Sequence, residues 1–283
     1  MKKIHVPLQD KSYDVLIKHN LLDEIDKYID TTREIVIISD DNVPKQYITK
    51  INSKLNDPIN LFFPQGELSK SMETALLLVN KLIEKGVSRN VLIIALGGGV
   101  TGDLVGFVAS IFMRGVDFIQ IPTTLLSQID SSVGGKVGVN TNSMKNSVGS
   151  FKQPILVLID PNTLQTLDQR QINSGVAELI KYGVIASKSL FYDILNNNIF
   201  DNIEEYIYQC IEIKKDIVIQ DEYDYGIRQI LNYGHTIGHA LEQYSNYTLL
   251  HGEAVAIGMA MMSSGMSFEN DLLKVLNKYN LPT

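Results

Sequence analysis

The sequence predicts an α/β domain with a parallel sheet, followed by an all-α domain. Three observations lead there. Short β-branched runs alternate with helical patterns up to residue 159, as βαβ units require. After Pro161 the strand signals largely vanish and helical periodicity dominates. A Gly-rich segment, GGGVTGD at 97–103, joins a strand to a helix, where an α/β sheet places its ligands. The boundary is drawn near residue 160, with one domain over 1–160 and the second over 161–283.

The elements follow in order. Residues 1–20 alternate weakly between polar and apolar and read as an edge hairpin. A helical pattern covers 21–28, a buried strand 34–40, a helix 44–55 and a strand 59–63, closed by Pro64 and Gly66. Residues 71–85 carry apolar side chains at helical spacing, with Ser71 as N-cap and Gly86 as terminator. A strand at 90–96 precedes the glycines, and a helix at 104–112 follows them. Further strands are read at 118–121 and 155–159, with no strand assigned between them. In the second domain the helical stretches are 170–186, 188–197, 202–220, 227–244, 252–268 and 269–279. Residues 244–248 break the fourth helix from the fifth.

Composition narrows the function. The chain is 45% hydrophobic and 20% charged, with a net charge of −7, which argues against a general nucleic-acid surface. Cys210 is the only cysteine, so no intrachain disulfide forms. The N-terminus has lysines but no apolar signal region. The longest apolar runs are about six residues, against ~20 for a membrane span. The reading is a soluble, cytoplasmic protein.

Four stretches carry chemistry. Gly97-x-Gly99-x-x-Gly102 follows a strand and opens a helix, as the dinucleotide fingerprint requires, although a plain Gly-rich turn would look alike. It lies mid-domain, and the acid that would hold a ribose is upstream, at Asp40. Residues 130–146 are dense in glycine, hydroxyls and amides, with Asp130, Lys136, Lys145 and Asn146 suited to an anionic, hydroxylated ligand. Glu178 and Lys181, at i and i+3, share a helix face. Three of the five histidines, His235, His239 and His251, cluster with Glu242 and Glu253. Two histidines and a carboxylate make a catalytic zinc set. Spacing leaves open which histidines ligate, and whether Glu178, Glu242 or Glu253 completes the set. Arg114, Lys136, Lys145, Lys181, Lys214 and Arg228 are cations beside these motifs, suited to phosphate and carboxylate.

Together GGGVTGD, PTTLLSQIDSSVGGKVGVN, KN at 145–146, GVAELIKYG, RQILNYGHTIGHALE and LHGEAVAIG resemble the 3-dehydroquinate synthase family of sugar phosphate cyclases. The resemblance implies an N-terminal NAD-binding α/β domain, a helical C-terminal domain, an active site between them, and a homodimer. It implies Glu178, His235 and His251 as ligands of zinc or cobalt, with His239 catalytic or beside the metal. It places NAD on Asp40, Glu67, Lys70, Gly99, Val100, Asp103, Thr123, Thr124, Lys145 and the turn holding Thr163 and Thr166. It places the substrate on Asp130, Lys136, Asn146, Lys181, Lys214, Arg228, Asn232 and His239, with Arg114 reaching a neighbouring subunit's phosphate site. The implied reaction converts 3-deoxy-D-arabino-heptulosonate 7-phosphate to 3-dehydroquinate and phosphate, NAD being reduced and reoxidised within one turnover. The family continues for several tens of residues past a position like Thr283, with a DKK-type lysine motif, so the helical domain is expected to be incomplete. Alternative readings are a metal-dependent polyol dehydrogenase, a cyclase of another sugar phosphate, and a truncated chain that binds NAD or metal without turnover.

Overall fold

The computed structural model describes residues 1–141, 144–246 and 248–283. Tyr247, within the break expected at 244–248, lies outside them. The chain divides into two compact units, Met1–Thr166 and Leu167–Thr283.

The first unit contains β1 (Lys2–Val6), β2 (Tyr13–Ile17), β3 (Ile35–Asp40), α1 (Lys45–Asn52), β4 (Ile59–Phe63), α2 (Met72–Glu84), β5 (Leu92–Gly97), α3 (Gly99–Ile111), β6 (Asp117–Pro122), β7 (Lys136–Val139), β8 (Val148–Phe151) and β9 (Leu156–Ile159). Seven strands form one sheet in the order β1-β2-β9-β6-β5-β3-β4. Every pairing in it is parallel except β1 with β2. Strand side chains alternate between two cores. Val36 and Ile38 of β3 pack with α2 and α3, whereas Ile35 and Ile37 pack with α1 and the turn around Leu22. With both faces covered, the central strands read as continuous apolar runs. Ser71 caps α2 by accepting a hydrogen bond from the Thr74 N–H at 3.2 Å.

Three elements of this unit differ from expectation. Residues 21–28 form a 3-10 turn, Leu21–Lys27, kinked at Glu24. The helix expected at 104 starts at Gly99, so two of the fingerprint glycines, Gly99 and Gly102, lie in its first turns, while Gly97 ends β5. Between Lys136 and Phe151 the chain forms an antiparallel hairpin, β7–β8. Its glycines hid it, because Gly138 and Gly149 pair in register with no side chain between the strands.

The second unit contains α4 (Gln169–Ala186), α5 (Lys188–Asn196), α6 (Ile203–Val218), α7 (His235–Tyr244), α8 (His251–Met262) and α9 (Glu269–Lys278). Asp168 and Ser187 cap α4 and α5. The helix expected over 227–244 is two pieces, a 3-10 turn Ile227–Asn232 and α7. Gly234 separates them at φ +80°, and a Cβ there would lie 2.8 Å from the Met259 Cγ. Helix α8 stops at Met262, short of the expected 268. Among the described residues, no helix is long and apolar enough to cross a membrane.

Ser71→Ala is expected to lower stability by about 1 kcal/mol, read from the denaturant midpoint at unchanged slope. An unchanged midpoint would mean that the cap contributes nothing.

Candidate functional site

In the first unit, the two helices flanking the centre of the sheet lie on opposite faces. Helix α1 follows β3 and packs on one face, while α3 follows β5 and packs on the other. Strands β3 and β5 are neighbours, so their carboxyl ends form the switch point of the sheet, the position where open α/β sheets bind ligands. Asp40 ends β3 and Gly97 ends β5, one residue beyond the paired Ser39 and Leu96. The Asp40 carboxylate accepts a hydrogen bond from Thr101 Oγ1 at 2.8 Å. An upstream acid thus stands beside the fingerprint because its strand is the adjacent one. Gly99 and Val100 form the first turn of α3. A Cβ on Gly102 would lie 2.7 Å from Gln120 Oε1, so α3 approaches β6 closely. The Thr123 N–H donates to the Gly97 carbonyl at 2.9 Å, and the Thr124 hydroxyl lies 2.8 Å from Ser127 Oγ.

A polar network joins several of the expected residues. Lys70 Nζ donates to Asp103 Oδ2 and to Asn146 Oδ1, both at 2.5 Å. Glu67 Oε1 accepts from Asn140 Nδ2 at 2.8 Å and lies 3.7 Å from Lys145 Nζ. Asn146, expected at the substrate, is therefore held by Lys70, expected at the nucleotide. The Asn140 side chain gave no signal beyond its place after the glycines. Thr163 and Thr166 brace their own turn: Thr163 Oγ1 donates to the Asp160 carbonyl, and Tyr47 Oη meets Thr166 Oγ1 at 2.9 Å. Asp130 lies in the Ser127–Ser131 turn and Lys136 is exposed at the start of β7. Arg114 is exposed in the turn after α3, at φ +66°.

In the second unit, three helices meet at one carboxylate. Glu178, on α4, is fully buried. Its Oε1 lies 3.4 Å from His235 Nε2 and 3.4 Å from His251 Nε2. Each histidine is the first residue of its helix, α7 and α8. The other ring nitrogens face acceptors: His235 Nδ1 lies 3.2 Å from the Tyr233 carbonyl and His251 Nδ1 lies 3.3 Å from Glu242 Oε2. Glu178 Oε2 meets Lys181 Nζ at 2.5 Å.

Of the carboxylates that spacing left open, Glu178 joins both histidines, and Glu242 faces His239 and His251. Glu253 is engaged elsewhere. It forms a two-pronged pair with Arg170 at 2.6 and 2.7 Å and accepts from the Leu250 N–H at 2.8 Å, holding the start of α8. Arg170 was not foreseen, because its partner lies 83 residues away. The i, i+4 pair His235 and His239 stacks edge to face at 5.3 Å, but His239 is exposed.

Electrostatics separate the two buried histidines. Burial pushes His235 down to about 4. Burial also acts to lower His251, but hydrogen bonds to Glu178 and Glu242 outweigh it and carry the ring up to about 9. The carboxylates thus favour positive charge at this point. Lys181, Lys214 and Arg228 are buried. Arg228 Nη1 donates to the Glu222 carbonyl at 2.5 Å, and its N–H donates to Asp221 Oδ2. Asn232 is exposed at the end of the 227–232 turn.

The sequence matches the profile described as 3-dehydroquinate synthase N-terminal over residues 60–174 and the one described as 3-dehydroquinate synthase C-terminal over 175–282. The chain belongs to the 3-dehydroquinate synthase family. It is 45% identical to a 3-dehydroquinate synthase from Clostridium beijerinckii, over all of this chain and 86% of that one. A crystal structure of 2-deoxy-scyllo-inosose synthase, complexed with carbaglucose-6-phosphate, NAD+ and Co2+, superposes with a TM-score of 0.89 at 30% identity, over 99% of this chain and 82% of that one. The 2-epi-5-epi-valiolone synthase ValA from Streptomyces hygroscopicus, with NAD+ and Zn2+ bound, gives 0.87 at 28% identity, over 98% and 82%.

In this family member, α8 meets α4 through a glycine. The Gly252 N–H donates to Ser174 Oγ at 3.0 Å, and a Cβ on Gly252 would fall 1.9 Å from the Ser174 carbonyl oxygen. Gly252→Ala is therefore expected to force α8 from α4 and cost about 1–3 kcal/mol. Thermal melting checks this, and a wild-type melting point would show that the backbones relax freely.

Proposed function

We propose that this chain is a 3-dehydroquinate synthase, converting 3-deoxy-D-arabino-heptulosonate 7-phosphate to 3-dehydroquinate and phosphate. The observation that carries the reading is the convergence of Glu178, His235 and His251 in a chain whose two halves both match the family. The donor set fits a divalent cation: their donor atoms lie within 4.8 Å of one another, and three protein ligands leave a coordination position for a substrate hydroxyl. We assign zinc or cobalt here, the metals in the solved relatives named above. The fingerprint beside Asp40 fits NAD, the nucleotide in both relatives.

Held by these residues, a divalent metal would supply Lewis acidity at a substrate hydroxyl and NAD would supply a reversible hydride acceptor, so the cofactor would not be consumed. The residues of the chain bind and orient. Asp40 would hold a ribose, while Gly99 and Val100 at the start of α3 would present N–H groups to the pyrophosphate. Glu67, Lys70, Asp103, Thr123, Thr124 and Lys145, with the Thr163–Thr166 turn, complete the proposed nucleotide set. Asp130, Lys136, Asn146, Lys181, Lys214, Arg228 and Asn232 are assigned to the substrate, where fixed cations would offset its phosphate and carboxylate charge. His239 stands beside both metal-binding imidazoles, suited to carry a proton. In a homodimer, Arg114 would reach the phosphate site of the second copy.

Purified protein given NAD, a divalent metal and the heptulosonate phosphate should release phosphate with no net NADH. Steady NADH accumulation on a simple alcohol, without phosphate release, would replace this reading with a polyol dehydrogenase. His251→Ala should lose bound metal by elemental analysis, and full retention would refute the ligand set.

A further inference from the structure

Two carboxylates of the histidine cluster are not in the proposed metal set, Glu242 and Glu253. Glu253 is committed to Arg170 and the start of α8. Glu242 is 3% exposed. It lies on α7, two turns after His235, and its Oε2 faces His251 Nδ1 at 3.3 Å across the α7–α8 contact. We propose that Glu242 is the positioning residue of the metal centre, accepting the Nδ1–H of His251 and fixing that ring as an Nε2 ligand. This rests on the metal reading above.

Which ring nitrogen of His251 can ligate depends on its tautomer. A neutral imidazole has one N–H and one lone pair, and the acceptor bound by the N–H decides which nitrogen ligates. His235 is fixed by the Tyr233 carbonyl on Nδ1, which leaves Nε2 toward Glu178. His251 is the first residue of α8, and no backbone carbonyl is bonded to its Nδ1 among the described contacts. Glu242 fills that role from the neighbouring helix. The buried carboxylate also places a negative charge behind the ring, which strengthens its lone pair toward a cation.

The same three residues, His239, Glu242 and His251, also lie within ligating distance of one another, so Glu242 as a ligand is the rival. Geometry favours the positioning role. Glu178 Oε1 is equidistant from two Nε2 atoms and fully buried, whereas the rival set depends on the exposed ring of His239. His251 cannot use Nε2 for one set and Nδ1 for the other without losing both ring protons.

Metal-free protein would be titrated with Co2+ alone against a competing chelator, reading affinity and the visible cobalt absorption. Glu242→Gln keeps an acceptor at the same reach and should keep most of the affinity and the wild-type spectrum. Glu242→Ala removes the acceptor and should bind about 10–100-fold more weakly, with a shifted spectrum. Glu242→Leu, which fills the space without an acceptor, decides the matter if the alanine variant does not fold. Wild-type affinity in the alanine or leucine variant would overturn the inference. So would an equal loss in Glu242→Gln, since that marks the carboxylate as a ligand. Glu178→Gln separates the two levels. If it binds Co2+ like the wild type, the metal reading itself fails. If it loses Co2+ while Glu242→Leu keeps it, only the positioning role fails.

Discussion

Glu178 carries a carboxylate with no exposed surface, and the second unit is arranged to make that tolerable. An isolated ion in such a place costs several kcal/mol, and pairing repays it only with good geometry on every lone pair. Lys181 answers one oxygen at 2.5 Å and two imidazoles face the other at 3.4 Å. The starts of α7 and α8 must therefore meet the middle of α4 with Å-scale accuracy. The side chains that achieve this are short or absent. Gly252 brings α8 onto α4, and Gly234 turns the chain so that α7 can start with His235. The buried carboxylate and the packing are linked here, since a longer residue at either position would move a histidine that faces Glu178.

The two histidines share a position at helix starts but not an electrostatic setting. The first turn of a helix has N–H groups without intrahelical partners and a partial positive charge, so it favours the neutral imidazole that can ligate. His235 fits this, with burial acting in the same direction. His251 departs from it, because two carboxylates, Glu178 and Glu242, lie against its ring. One histidine is thus kept neutral by its surroundings and the other is drawn toward charge, although both sit at the same position in their helices.

Much of this was legible. The parallel sheet showed in apolar runs at 35–40 and 92–97, and the cap of α2 showed in Ser71. The histidine cluster was legible as a candidate metal site. Its ligand choice did not follow from spacing: the pair on one helix face, His235 and His239, is not the pair that faces Glu178. Helical period finds neighbours within a helix, whereas this set draws one residue from each of three helices, and the carboxylate lies 57 positions before the nearer histidine. The resemblance supplied that choice. The hairpin at 136–151 and the break at 234 were missed for one reason. Glycine marks a loop, a close strand pairing or a left-handed turn alike, and only the neighbours decide which.

In the first unit, two features that stand in an unusual order along the chain lie at adjacent strand ends. In the dinucleotide fold the glycines follow the first strand and an acid ends the next one about 20 residues later. Here the glycines follow β5 and the acid ends β3, so the order is reversed along the chain. The sheet order removes the discrepancy, because β3 lies against β5 and their ends are in register. What a ribose and a pyrophosphate require is an acid at the end of one strand and a helix start at the end of its neighbour, with the two following helices on opposite faces. Asp40 and Gly99 meet that requirement, and Thr101 already bonds the acid from the helix side. A fingerprint is therefore a statement about adjacent strand ends. Its sequence spacing is one of several routes by which a chain can bring those ends together.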